Sequence, residues 1–264
     1  MNQPLASPSL WKQKLSAGQT IPTKQGAFEI KFLVAESVAV HLVATVATRM
    51  QLDPHADPHT RGYSVEGIYF ETQARDVFNR MPGYSRRKFR IRRYGNGDTV
   101  FLERKSKRQG IVTKRRLQLE SNEVMKFLSE TLSRGAIYNS EVEGQAELDS
   151  ATEMSWFVNR IYRLKLRPTL CIAYERVAFL QMEGNFPIRL TVDRSLSCCP
   201  FVQTGFPSKL DYSKFLESNC VVELKYQNVM PGCFRDLIDE FQLISWLFPT
   251  GCIGIPLRCH RRFR

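Results

Sequence analysis

Residues 85–94 read SRRKFRIRRY, and the alternation in this stretch constrains the fold more tightly than any other feature of the chain. Successive residues of a β-strand point to opposite faces, so Lys88, Arg90 and Arg92 fall on one side while Phe89 and Ile91 fall on the other. Two further runs repeat the arrangement. In TVFLERKSK (99–107) Glu103, Lys105 and Lys107 oppose Val100 and Leu102, and in VTKRRLQL (112–119) Lys114 and Arg116 oppose Arg115, Leu117 and Leu119. Asn96-Gly97 and Gln109-Gly110 are turn signals, so the three strands are predicted to form an antiparallel meander with one basic face. Helices covering the apolar faces turn that basic face into the lining of a cavity, and a cavity of cations suits a polyanion such as a chain of phosphates.

The charge balance agrees. Lys and Arg number 38 against 26 acidic residues, a net charge of +12, which favours an anionic partner: nucleotide, nucleic acid, polyphosphate or an anionic membrane surface. At 264 residues and 43% hydrophobic the chain can bury a full core, and one domain is expected. We expect an arm over 1–25, the domain over 26–258 and a basic tail over 259–264. Seven cysteines without CxxC spacing, and no secretory leader ahead of them, suggest reduced thiols and a cytoplasmic location. The longest apolar run, around Phe32 to Ala47, is broken by Glu36 and His41 and is too short to span a bilayer. Membrane insertion is not expected, and peripheral association stays open.

Further strands are predicted at 26–34, 62–72, 168–180, 186–196 and 219–228, with a last one over 251–258. Helices are predicted over 36–50, from an N-cap at Ser121, from a cap at Thr152, and over 231–248; residues 74–81 are expected to form a helical turn or two. The acidic segment 140–149 reads as a solvated loop. In the first strand Glu29 and Lys31 oppose Phe28, Ile30 and Phe32; in the later ones Arg189, Thr191 and Asp193 oppose Ile188, Leu190 and Val192, and Glu223 and Lys225 oppose Val222, Leu224 and Tyr226. E-x-K thus recurs at Glu29/Lys31, Glu103/Lys105 and Glu223/Lys225. One strand of this kind is ordinary half-wetted sheet. Many together, with Arg, Lys and a few carboxylates where Thr, Ser and Gln would be usual, point to a cation-lined cavity in which a carboxylate holds a divalent ion bridging phosphate oxygens.

Other chemistries lack their motifs. There is no GxxxxGK[ST], no GxGxxG and no serine elbow, and only four histidines. Asp53, His55, Asp57 and His59 in DPHADPHT have a composition that could bind a metal, although a polar proline-containing loop accounts for it. Nucleic-acid binding would call for aromatics exposed among cations on an open surface, whereas Phe89, Ile91 and Tyr94 suit a buried wall.

The ordered motifs FEIKF, YFET, KFRIRRY, FLERKSK, KRR, AYERVAF, RLTVD and VELK resemble the VTC domain, the polyphosphate polymerase module of vacuolar transporter chaperone complexes. The resemblance covers residues 26–248. It implies an α+β triphosphate tunnel fold: a closed antiparallel eight-stranded β-barrel with flanking helices, whose lumen binds triphosphate and a divalent metal. By motif, Lys31, Arg90, Arg92, Lys105, Lys114, Arg176, Arg189 and Lys225 resemble the tunnel's phosphate-binding cations; Lys88 and Arg116 join them by alternation. Glu223 resembles the metal ligand for Mn²⁺ or Mg²⁺, with Glu29 and Glu103 as alternates. The activity implied is transfer of the γ-phosphoryl group of ATP to a growing polyphosphate, with Arg90, Arg92, Lys105 and Arg176 neutralising charge; the alternatives are a metal-dependent triphosphatase and a non-catalytic polyphosphate or nucleotide sensor. The family's Ser-Lys-Tyr motif is replaced here by Pro249, Thr250 and Gly251.

Overall fold

The structure, a computed structural model, describes residues 27–84, 87–95, 97–108, 111–137, 153–202, 205–208 and 211–244. Its centre is one antiparallel sheet whose main path runs β1 (Phe28–Ala35), β10 (Asn219–Tyr226), β8 (Phe186–Pro200), β7 (Arg167–Glu183), β3 (Tyr63–Glu71), β4 (Arg87–Tyr94), β5 (Thr99–Arg108), β6 (Ile111–Glu120). Two short strands lie off the path: β2 (Gln51–Leu52) on β7 and β9 (Ser213–Lys214) on β8. The eight principal strands are those expected from the sequence, but among the described residues no ladder of hydrogen bonds closes them into a barrel. β1 and β6, the ends of the path, meet through the isolated bridge Ala27↔Val112. The sheet nevertheless curls far enough for Lys105 on β5 to pair with Glu29 on β1.

The meander has the predicted register, with Arg90 opposite Glu103, Glu103 opposite Arg116, and Lys105 opposite both Lys88 and Lys114. Its outer face is apolar where alternation requires. Phe89, Ile91, Val100 and Leu102 are buried with Val124, Phe127 and Leu128 of α2 (Ser121–Ile137) and Phe157 and Ile161 of α3 (Glu153–Arg163). The other half of the sheet is covered by α1 (Glu36–Ala47) and α4 (Gly232–Glu240), whose Leu42, Val46, Phe234 and Leu237 pack on Phe32, Leu190, Val222 and Leu224. Together these clusters hold the strands' charged positions on the inner face.

Several local expectations differ from what forms. Ser121 does not cap α2; its hydroxyl donates to the Asp98 carbonyl, and Glu123 reaches back to the Glu120 N–H at 2.8 Å. Residues 74–81 make one i→i+4 turn, the Asn79 N–H reaching the Arg75 carbonyl at 2.8 Å, and no longer helix; the Glu71 carboxylate takes the N–H groups of Thr72, Val77 and Phe78, each at 2.8 Å. Helix α4 ends at Glu240 instead of running to 248: Gln242 adopts a left-handed φ of 49° and the Leu243 N–H returns to the Ile238 carbonyl at 2.9 Å, a Schellman-type stop made without glycine. Cys171, Cys199, Cys220 and Cys233 are free thiols, whereas Cys198 is disulfide-bonded, against the expectation of wholly reduced cysteines. No helix among the described residues is long and apolar enough to cross a membrane. The arm, the Thr152 cap, the strand over 251–258, the basic tail and Pro249 to Gly251 lie outside the described residues.

Candidate functional site: the inner face of the sheet

Alternation on β1, β10, β8, β7 and β4–β6 aims Lys31, Lys225, Arg189, Arg176, Lys88, Arg90, Arg92, Lys105, Lys114 and Arg116 at the inner face. The carboxylates that meet them are fewer. Glu103 is fully buried and takes the Arg90 Nε–H at 2.7 Å and the Arg116 Nε–H at 2.8 Å, with Lys114 paired to it and Arg92 at 4.0 Å. Burial pushes the Glu103 carboxyl up, but these four cations hold it well below the usual carboxylate range. Burial likewise opposes ionisation of Glu29, yet Lys105 and Lys31 lower it to about 2. Glu223 pairs with Lys31. Asp193 grips Arg176 through two bonds of 2.6 and 2.8 Å, the bidentate fork that fixes a guanidinium plane.

Three elements of the site were not legible as such. Asp53, part of the metal-like loop by composition, accepts from Arg189 Nη2 at 2.7 Å, and the same nitrogen donates to the Tyr63 hydroxyl at 2.8 Å. The Tyr94 hydroxyl receives Arg92 Nη1 and Arg116 Nη2, each at 3.1 Å. The inner face is also not uniformly cationic: Val65, Leu170, Ile172, Tyr174, Leu196 and Val221 form an apolar cluster with Leu33, Tyr63, Tyr69 and Tyr94. β3 and β7 carry apolar residues on both faces, and two-sided apolar strands give alternation nothing to report.

The loop residues His55, Asp57 and His59 are not brought together as ligands. Asp57 Oδ1 instead accepts the N–H groups of His59 and Thr60, and Asp53 is committed to Arg189. Among the described residues no group of three or more His, Cys, Asp or Glu side chains could hold a metal ion. A hard cation shared with phosphate needs less, since Mg²⁺ commonly takes one or two carboxylates and completes its shell with phosphate oxygens and water. The inner face fits that mode at Glu223. Thr191 lies opposite it in register, with a buried hydroxyl lacking a hydrogen-bond partner, and Glu29 lies diagonally across from it on β1. Glu103 fits poorly, its oxygens being occupied by four cations.

Two inner groups titrate near neutrality. Burial, partly offset by Glu103, lowers Lys114 to about 7. Burial pushes Tyr94 up, but Arg92 and its cationic neighbours bring it down to about 7. Raising the pH from 6 to 8 therefore removes positive charge from the inner face. Triphosphate affinity is expected to fall over that range. Stability of the ligand-free protein should move the other way: the unfolded chain keeps both protons over this range, so it binds more protons than the folded chain and stability rises from pH 6 to pH 8. Calorimetric titration and thermal melts across pH 6–8 check both signs; parallel trends would contradict the assignment.

The VTC domain family model matches residues 27–248. No curated protein matches the chain. Among solved structures, a candidate adenylyl cyclase, HpAC1 from Hippeastrum, with a dominant triphosphatase activity, is similar at 14% identity and TM-score 0.48 over 87% of this chain and 94% of that one. A candidate adenylate cyclase from Bacillus halodurans is similar at 11% identity and TM-score 0.45, over 86% and 95%. The PH1819 protein from Pyrococcus horikoshii gives 12% identity and TM-score 0.42, over 90% and 99%. With a family model spanning the sheet from β1 to the residues just beyond α4, the chain belongs to the VTC domain family.

Proposed function

We propose that the inner face works as a triphosphate tunnel in which a cytoplasmic domain over 26–258 transfers the γ-phosphoryl group of ATP to the end of a polyphosphate chain. The observation that supports this most is the convergence of Arg and Lys side chains from seven of the eight path strands on one face, beside a smaller set of carboxylates paired with them. In the step proposed, a terminal phosphate oxygen of the chain forms a bond to the γ-phosphorus, and the bond from that phosphorus to the β,γ-bridging oxygen breaks, releasing ADP. Loose phosphoryl transfer of this kind rests on positioning and charge neutralisation, so no protein nucleophile is required. Arg90, Arg92, Lys105 and Arg176 neutralise charge on the transferred and leaving groups. Lys31, Lys88, Lys114, Arg116, Arg189 and Lys225 hold the remaining phosphates. Mn²⁺ or Mg²⁺, held by Glu223 with Glu29 beside it, supplies screening between phosphate oxygens when bound.

Incubating the purified protein with ATP and Mn²⁺ tests the reading. A ladder of long polyphosphate is expected; phosphate release alone makes the protein a triphosphatase, binding without turnover makes it a sensor, and no binding of ATP or triphosphate overturns the reading. Glu223→Gln is expected to abolish metal-dependent turnover while leaving triphosphate binding within a few-fold, because the amide keeps the shape and loses the charge that attracts a hard cation. Undiminished activity of that variant at limiting Mn²⁺ would transfer the role to Glu29.

A further inference from the structure

The opposite face of the meander carries a second set of arginines that the inner site does not use. Arg104 and Arg115 are direct cross-strand neighbours on the outer side of β5 and β6, where like charges repel. Trp156 of α3 holds both, its ring centroid 3.9 Å from the Arg115 guanidinium and 5.3 Å from that of Arg104. One turn further along α3 stand Arg160 and, at its end, Arg163; Arg87 comes from the start of β4. The floor is the apolar cluster of Phe89, Val100, Leu102 and Phe157, a low-dielectric surface that strengthens any charge interaction above it.

This grouping is costly as it stands. Among the described residues Arg87, Arg104, Arg160 and Arg163 make no ion pair, and the Nε–H groups of Arg104 and Arg160 are buried without an acceptor. Burial and then the neighbouring guanidinia, Arg87, Arg160 and Arg115, push Arg104 below its ordinary range; Arg160 is lowered by burial and then by Arg87 and Arg163. Trp156 orients two of the guanidinia, but an indole face offers at best a weak N–H···π contact and no lone pair to the N–H groups at the edge of a guanidinium fork. A compact anion with several oxygens would satisfy the orphaned donors and remove the repulsion together.

We propose that Arg87, Arg104, Arg115, Arg160 and Arg163 form a second anion site on the outer face of the sheet, taking a multiply charged phosphate compound. The site does not depend on the reading of the inner face.

Calorimetric titration of the full chain with inorganic triphosphate, without metal and at low salt, tests it. Two binding events are expected for the parent. Arg160→Gln/Arg163→Gln should weaken the outer one about a hundredfold, on the order of tenfold for each charge-assisted hydrogen bond removed, and leave the inner one. Arg90→Ala/Arg92→Ala should do the reverse, so failure of one site is distinguishable from failure of the other. Arg163→Gln alone, at an exposed position, should weaken the outer event about tenfold without risk to the fold. In anion-free buffer the double variant should melt no lower than the parent, because it removes repulsion. Co-sedimentation with phosphoinositide vesicles, lost in the double variant, would assign the phosphate to a lipid headgroup; retained triphosphate binding without co-sedimentation would assign it to a free compound. A single binding event in the parent, an outer event indifferent to the substitutions, or a lower melting temperature of the anion-free double variant would each overturn the proposal.

Discussion

Glu103→Gln should melt about 10 °C below the parent in anion-free buffer, and much of the loss should return when inorganic triphosphate is added. Glu103 is fully buried and serves Arg90, Arg92, Lys114 and Arg116 at once. Removing one partner of a buried ionic network leaves the others uncompensated, a cost of about 3–5 kcal/mol. At this chain length such a change lowers the melting temperature by about 2–4 °C per kcal/mol. The recovery separates this residue from an ordinary core carboxylate: a phosphate chain on the inner face supplies the same negative charge to the same four cations. A variant that melts with the parent, or one that triphosphate cannot restore, would show that Glu103 does not organise the inner cations.

Arg92→Ala should weaken triphosphate binding by about 10–100-fold, since it removes one charge-assisted hydrogen bond worth about 1.5–3 kcal/mol, while Arg93→Ala should leave it nearly unchanged. The two residues are adjacent in sequence and point to opposite faces. Arg92 is buried on the inner face with Tyr94 and Glu103, whereas Arg93 pairs with Glu66 outside and lies 4.5 Å over the Phe206 ring. Arg93→Ala should instead cost stability, about 1–3 kcal/mol, since it leaves the buried Glu66 carboxylate without its partner. Equal losses of binding at the two positions would contradict the register of β4.

The register of β4–β6 could be read from sequence because period-two alternation is a local property: Phe89 and Ile91 must leave water, and their neighbours are carried to the other face whatever the rest of the chain does. The partners of the cations could not be read that way. Arg189 and Asp53 are 136 residues apart, and nothing near either announces the other. The Asp193–Arg176 fork depends on the pairing of β7 with β8, which alternation on each strand does not specify. The apolar inner cluster has no such signal because the TLCIAY run is hydrophobic at consecutive positions; such runs indicate burial on both faces without saying what the inner face holds. The open join between β1 and β6 is of the same kind, a property of sheet curvature with no residue signature beyond Ala27 and Val112. Helix α4 is shorter than its amphipathic pattern because its stop uses Gln242 where a glycine would have marked it.

A crystal structure of the chain soaked with inorganic triphosphate would show whether the inner face holds phosphates. Triphosphate is expected on the inner face among Lys31, Arg90, Lys105, Arg176 and Lys225, with the ion pairs of Lys31 and Lys105 to Glu223 and Glu29 loosened as the phosphates take over those ammonium groups. Triphosphate bound only on the outer surface, with the inner pairs intact, would contradict that expectation.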